Sequence, residues 1–198
     1  MRLFIICALL SLANAANRLC NGDVMTLHPT GKASGGVAAS HAEVQHDVTA
    51  LEKHRHCYQA SADNNCIQAS VIAAVASRES RGGTLLVATH GYGDLGHAWG
   101  IMQCDTRYSG LPCTSVPWDS CEHIEMMVHR MLVPNVHSLH TKHPAWPMSH
   151  CLQGAVAGYN CGLSRVTTFE TADAHTTGHD YSNDVIARAQ WLHQHGWN

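Results

Sequence analysis

Residues 76–105 read ASRESRGGTLLVATHGYGDLGHAWGIMQCD. Ile67, Val71, Ala74 and Val75 lead into this stretch at helical spacing, which predicts a helix over about residues 65–79 that ends at Glu79. Beyond it, residues 81–117 are rich in Gly, Thr and Ser and predict loops with short β-hairpin pieces. The stretch is therefore a junction, from an apolar helix of small residues into an irregular part. A carboxyl at the end of such a helix lies against an apolar wall, where its charged form is disfavoured and its pKa rises. An acid still protonated near neutral pH can donate to a leaving group. The plainer reading of Glu79 is a helix-end carboxylate paired with Arg78 or Arg81.

Outward from this junction the chain is mainly helical, an α+β protein with a small β part in its middle. Ser40-x-x-Glu43 fits a capping box and predicts a helix starting at Ser40, with Val44, Val48 and Leu51 on one face. Asp119-x-x-Glu122 is expected to cap another helix, carrying Ile124, Met127, Val128, Met131 and Leu132, that Pro134 ends or kinks. Further helices are predicted over residues 149–159 and 180–195, the latter stopped by Gly196. Residues 17–39 read as an irregular N-terminal arm.

The chain has 198 residues, 45% of them apolar and 14% charged. An average globular domain is about 25% charged. Disorder and coiled coil are excluded, and one domain is expected. The formal net charge of −3 implies no basic face for nucleic acid. Residues 1–16, MRLFIICALLSLANAA, combine a basic start, an apolar run and Ala13-Asn14-Ala15. That is the pattern of a secretory signal peptide, leaving residues 17–198 as the exported domain. No later segment has the length of apolar sequence that a membrane span needs.

Of nine cysteines, Cys7 lies in that leader. The eight others (Cys20, Cys57, Cys66, Cys104, Cys113, Cys121, Cys151 and Cys161) form an even set that reads as disulfides, with 105 arrangements open. No C-x-x-C pair occurs. His54-x-His56 and His193-x-His195 would point to different faces of a helix. No metal or cofactor is expected, and most of the 17 histidines are assigned to the surface.

Two more carboxylates follow Glu79. Asp94 stands among glycines in Gly91-Tyr92-Gly93-Asp94-Leu95-Gly96, and Asp105 closes Gly100-Ile101-Met102-Gln103-Cys104-Asp105. One acid and a separated carboxylate that holds water are what inverting glycoside hydrolysis requires. Singly, Asp94 reads equally as a turn residue and Asp105 as a surface residue after a strand.

Five strings, taken together, resemble the goose-type (g-type) lysozymes over most of the exported chain. They are Cys66…Val71-Ile72-Ala73…Ser77-Arg78-Glu79-Ser80; Gly93-Asp94-x-Gly96; Gly100-Ile101-Met102-Gln103-x-Asp105; Ala157-Gly158-Tyr159-Asn160-x-Gly162; and the C-terminal run from Thr176 through Tyr181 to Gln190. The resemblance implies a lysozyme-like, mainly helical fold with a small three-stranded sheet. It also implies hydrolysis of the β-1,4 bond between N-acetylmuramic acid and N-acetylglucosamine in peptidoglycan; a secreted protein acting as a monomer is expected. It makes Glu79 the general acid, Asp94 and Asp105 the water-holding pair, and Gln103, Tyr159, Asn160 and Tyr181 the lining of the saccharide cleft. It pairs Cys20 with Cys66, and suggests further bridges of the molluscan kind among Cys57, Cys104, Cys113, Cys121, Cys151 and Cys161, with 15 connectivities open.

The sequence departs from the family at several points. Two extra residues separate Glu79 from Asp94. Tyr92 stands where Trp is common, Ser109 where some members have a cleft His, and Cys104 where an aliphatic residue is usual. Chitooligosaccharides are a second candidate substrate. The alternatives to a hydrolase are a lytic transglycosylase, which needs no water-holding pair, and a non-catalytic saccharide-binding protein, which would keep the cleft and lose an acid.

Overall fold

The computed structural model describes residues 19–198; the expected signal segment lies outside the described residues. Among these residues seven α-helices surround one core: α1 (Gly36–Glu52), α2 (Arg55–Asn65), α3 (Ala69–Ser80), α4 (Cys121–Met127), α5 (Val133–Lys142), α6 (Met148–Cys161) and α7 (Tyr181–Gln194). Between α3 and α4 lie three two-residue strands, β1 (Tyr92–Gly93), β2 (Ala98–Trp99) and β3 (Cys104–Asp105). They form an antiparallel sheet in the order β1-β2-β3. No helix among the described residues is long and apolar enough to cross a membrane.

The α3 sequence is apolar or small all round, so it is buried all round, from Ala69 to Ser77. It packs against α1, α2 and α7. Its end is sharp. Arg81 takes a left-handed conformation (φ 53°), and the Gly82 N–H reaches back to the Ala76 carbonyl at 3.0 Å, as in a Schellman stop. A Cβ on Gly82 would stand 3.1 Å from Ala50 Cβ and from the Leu51 nitrogen. Glycine thus lets the chain leave α3 hard against α1 and swing out into the sheet.

Several boundaries differ from the sequence expectations. Helix α1 starts at Gly36, and Ser40 lies inside it, buried. The Ser40 hydroxyl accepts the Lys32 N–H at 2.9 Å, and Glu43 binds Lys32 and Arg81 instead of closing a capping box. The expected helix over residues 65–79 starts at Ala69, because Cys66 is left-handed (φ 51°) and ends a separate helix, α2, that hydrophobic periodicity missed. Ser120, not Asp119, caps α4, accepting the His123 N–H at 3.2 Å. The chain passes Pro134 by widening into a π-turn over Val128–Leu132, after which α5 carries the proline in its first turn.

Among the described residues three disulfides are formed: Cys20–Cys66, Cys57–Cys121 and Cys104–Cys113. They tie the arm to the α2 end, α2 to the α4 start, and β3 to the loop after it. The expectation of a partner for every exported cysteine is corrected for Cys151 and Cys161, which are thiols. Both lie on α6, ten residues apart, which puts roughly 15 Å of helix axis between them.

Candidate active site

Glu79 occupies the last turn of α3 and is half-buried. Burial pushes its carboxyl up to about 7, against the pull of the Tyr181 hydrogen bond and the nearby Arg78 charge. The Tyr181 hydroxyl donates to Glu79 Oε1. The Tyr159 hydroxyl donates to the Met102 carbonyl at 2.6 Å. Both phenols are held well above their ordinary pKa by burial and by Glu79, so they stay protonated donors.

A buried ionic network sets the distance between α3 and α7. Arg78, read from sequence as a partner for Glu79, turns away to Asp184 (2.6 Å) and Asp180 (3.1 Å). Arg188 grips Asp184 at 2.8 Å, and its Nη1 donates to the Ser77 hydroxyl at 2.9 Å. Ser77 in turn donates to Asp47 at 2.6 Å. Burial pushes Asp184 up, but the hydrogen bonds and charges of Arg188 and Arg78 bring it below the usual carboxylate range; burial leaves Asp47 raised. Asp173 completes the frame. Its carboxylate accepts the Ser182 and Asn183 N–H groups at 2.8 and 3.0 Å, neutralising the α7 N-terminus beside Tyr181. The sequence reading gave Asp173 no role, because its binding partners are nine and ten residues away.

Across from Glu79 lies an open cleft of about 470 Å³, lined by Leu85, Leu86, Thr89, Tyr92, Asp94, Leu95 and Gln103 among others. Its rim carries exposed apolar side chains: Leu85 (61% exposed), Tyr92 (42%) and Leu95 (98%). Apolar faces beside a polar floor suit a sugar ring. Gln103 (φ 51°) donates to the Gly100 carbonyl at 2.9 Å. A Cβ on Gly93 would meet Gln103 Oε1 at 1.9 Å, so glycine in β1 is what admits Gln103 to the cleft.

The structure brings Glu79, Asp94 and Gln103 to one cleft. Asp105 ends β3 outside the cleft lining and is joined to Asp94 through Arg107. Slight burial pushes Asp105 up, but the Arg107 and Tyr108 N–H groups and the Arg107 guanidinium outweigh it and hold the carboxyl low. Asn160 accepts the Thr177 N–H at 2.8 Å and so anchors the loop before α7. Tyr159 and Tyr181 are not in the cleft lining; their hydroxyls go to the Met102 carbonyl and to Glu79. His56, Cys57 and Cys121 lie close enough to share an ion, but the two sulfurs are bonded to each other. His193 and His195 turn to different partners, Gln68 and the Trp191 carbonyl.

A helix-end acid whose pKa is raised to about 7, with a second carboxylate lining the same open groove, is a pairing that glycoside hydrolases use. The family profile described as Lysozyme g matches residues 22–196. A protein of Lottia gigantea, named glycine, glutamate and proline-rich protein, is 49% identical over 192 residues, covering 90% of this chain and 46% of its own. Lysozyme g of Gallus gallus is 36% identical over 172 residues, covering 87% of this chain and 79% of its own. Lysozyme g of Cyprinus carpio is 35% identical over 186 residues, covering 89% and 97%. The chain spans about half the length of the Lottia relative and most of the length of the two vertebrate ones. It belongs to the lysozyme g family, a family of glycoside hydrolases.

Proposed function

We propose that the protein is a secreted lysozyme that hydrolyses the β-1,4 bond between N-acetylmuramic acid and N-acetylglucosamine in peptidoglycan, with inversion. The observation that carries this reading is the Glu79 carboxyl, raised to about 7 by burial and lining the same cleft as Asp94. In its protonated form Glu79 donates to the glycosidic oxygen as the bond breaks. Tyr181, donating to Oε1, fixes the carboxyl's rotamer and receives part of the charge left after the transfer. Asp94 and Asp105 hold and orient the attacking water on the opposite face of the sugar. Gln103 and Tyr92 line the saccharide path. The leader over residues 1–16 and the three disulfides fit an oxidising, extracellular destination.

The test is clearing of a bacterial cell-wall suspension by wild type and by Glu79→Gln, with mass spectrometry of the released sugars. The variant is expected to lose about 10²–10⁴-fold in rate, and the wild-type products to carry a reducing end. Anhydro-sugar products would replace hydrolysis with transglycosylation. A variant within a few-fold of wild type would remove Glu79 from the chemistry.

A further inference from the structure

Two carboxylates can act on one water only if something holds them at one edge. Asp94 follows β1 and Asp105 ends β3, with β2 between them. The register Gly93↔Ala98 and Ala98↔Asp105 sets them near one row across the sheet. Two anions there repel. Asp94 is exposed, on a turn where both it (φ 42°) and Leu95 (φ 54°) are left-handed. Arg107 answers both problems: its Nη2 lies 3.2 Å from Asp94 Oδ2 and 3.5 Å from Asp105 Oδ2. Among the described residues it is the cation within ion-pair distance of both.

The guanidinium is itself held. The Arg107 N–H donates to Asp105 Oδ1 at 2.7 Å and the Tyr108 N–H at 3.0 Å, so Asp105 also builds the turn that carries Arg107. The Cys104–Cys113 disulfide closes that loop, and the Tyr108 ring lies 5.2 Å from the guanidinium. We propose that Arg107 is a positioning residue that clamps Asp94 to Asp105, so that the two carboxylates present a single water-holding edge to the cleft. The inference rests on the reading of those aspartates given above. One guanidinium nitrogen, Nη2, reaches both carboxylates; the rigid planar group fixes the direction of its N–H donors, whereas a lysine ammonium is a point charge on a flexible stem. Exposed ion pairs add little to folding stability, so the consequence of the clamp falls on the reaction. The titratable groups facing Arg107 are Asp94 from the β1 turn, Asp105 from β3 and Tyr108 from its own loop. His97 stands one strand in, its carbonyl accepting from Thr106.

The experiment measures kcat and KM against pH on soluble peptidoglycan fragments for wild type, R107A, R107K and Glu79→Gln, with melting temperatures alongside. R107A is expected to lose about tenfold in kcat, the equivalent of one charge-assisted hydrogen bond, with KM and melting temperature nearly unchanged. Its acidic limb should move upward, because Asp105 loses the cation that helps keep it ionised. R107K, which retains the charge, should keep the wild-type limb and recover part of kcat. An R107A profile that superimposes on wild type overturns the clamp. So does a loss confined to KM, which would make Arg107 a substrate contact. An active Glu79→Gln would instead overturn the functional reading itself, whatever Arg107 does.

Discussion

The Tyr181 hydroxyl donates a hydrogen bond to Glu79 Oε1, joining the first residue of α7 to the last turn of α3. This bond favours the ionised carboxylate, so it opposes the burial that raises Glu79 to about 7. In Tyr181→Phe the opposition goes and the pKa rises further. A hydrogen bond to a charged group is worth about 1.5–3 kcal/mol, so the basic limb of the hydrolysis profile should move up by about one unit or more. The turnover rate should fall, because the acid's rotamer is no longer fixed. A pH profile on a soluble oligosaccharide decides; an unmoved basic limb contradicts the role.

Glu79 also makes the fold pH-dependent. The folded carboxyl sits near 7 and the unfolded one near 4.5. Between these values the folded state keeps a proton that the unfolded state releases, so this contribution is full below pH 4.5 and is lost as pH rises through 7. Glu79→Gln should therefore be more stable than wild type at pH 8, by about 1–3 kcal/mol after allowing for partial exposure. That corresponds to roughly 2–4 °C in melting temperature per kcal/mol, and the gain should vanish at pH 4. Calorimetry at both pH values checks it; equal melting temperatures at pH 8 would mean that Glu79 ionises freely.

His123 works in the opposite sense. It is fully buried on α4, and burial lowers its imidazole to about 4 from 6.5. Its Nε2 accepts the Met102 N–H at 3.3 Å, and its ring fills the space that a side chain on Gly100 would need. The ring thus supports the loop that delivers Gln103 and the Met102 carbonyl. As pH falls from 6.5 to 4 the unfolded state takes up a proton that the folded state refuses, and stability drops by up to about 3 kcal/mol. His123→Gln, which keeps an acceptor, should flatten the acid side of a stability-against-pH curve. A variant curve parallel to wild type between pH 4 and 6.5 would place the acid loss elsewhere.

The sequence resolved the part of the site nearest α3, because an apolar helix ending in a carboxylate and glycine-flanked aspartates are local signals. It did not resolve α2. The buried positions of that helix are Cys57, Tyr58, Ser61, Ala62 and Asn65, a stripe too polar to register as hydrophobic periodicity. The start of α1 was displaced because Ser40 satisfies the Lys32 N–H instead of capping. Arg107, Asp173 and the Arg78–Asp184–Arg188 network were invisible for another reason: their roles arise between segments up to 111 residues apart, where spacing along the chain carries no information.

The two thiols separate one cysteine arrangement from another. Cys151 is buried and Cys161 half-buried, and burial raises both above the ordinary thiol value. With the leader removed, the denatured, unreduced protein should titrate two thiols, and the native protein only one, slowly, at Cys161. A count of zero would require bonds that α6 alone cannot make.

Charge on the whole molecule supplies the last expectation. Without Arg2 the chain carries 11 Lys and Arg against 15 Asp and Glu, a net −4 that repels an anionic cell wall at neutral pH. An imidazole ordinarily titrates near 6.5, and five protonated histidines of the 17 outweigh that charge. Burial shifts His41, His54 and His123 downward, but five of the other histidines are enough to reverse the sign of the net charge. Attraction then raises the encounter rate with the wall, and salt screens it. A neutral chitooligosaccharide feels only the cleft acids. Lysis of whole cells at low salt should therefore decline between pH 6 and 7 beyond the loss seen with the neutral substrate, and added salt should shrink that excess. Matching pH profiles for the two substrates at low salt would show that the histidines titrate without consequence, while leaving Glu79 and its cleft where they stand.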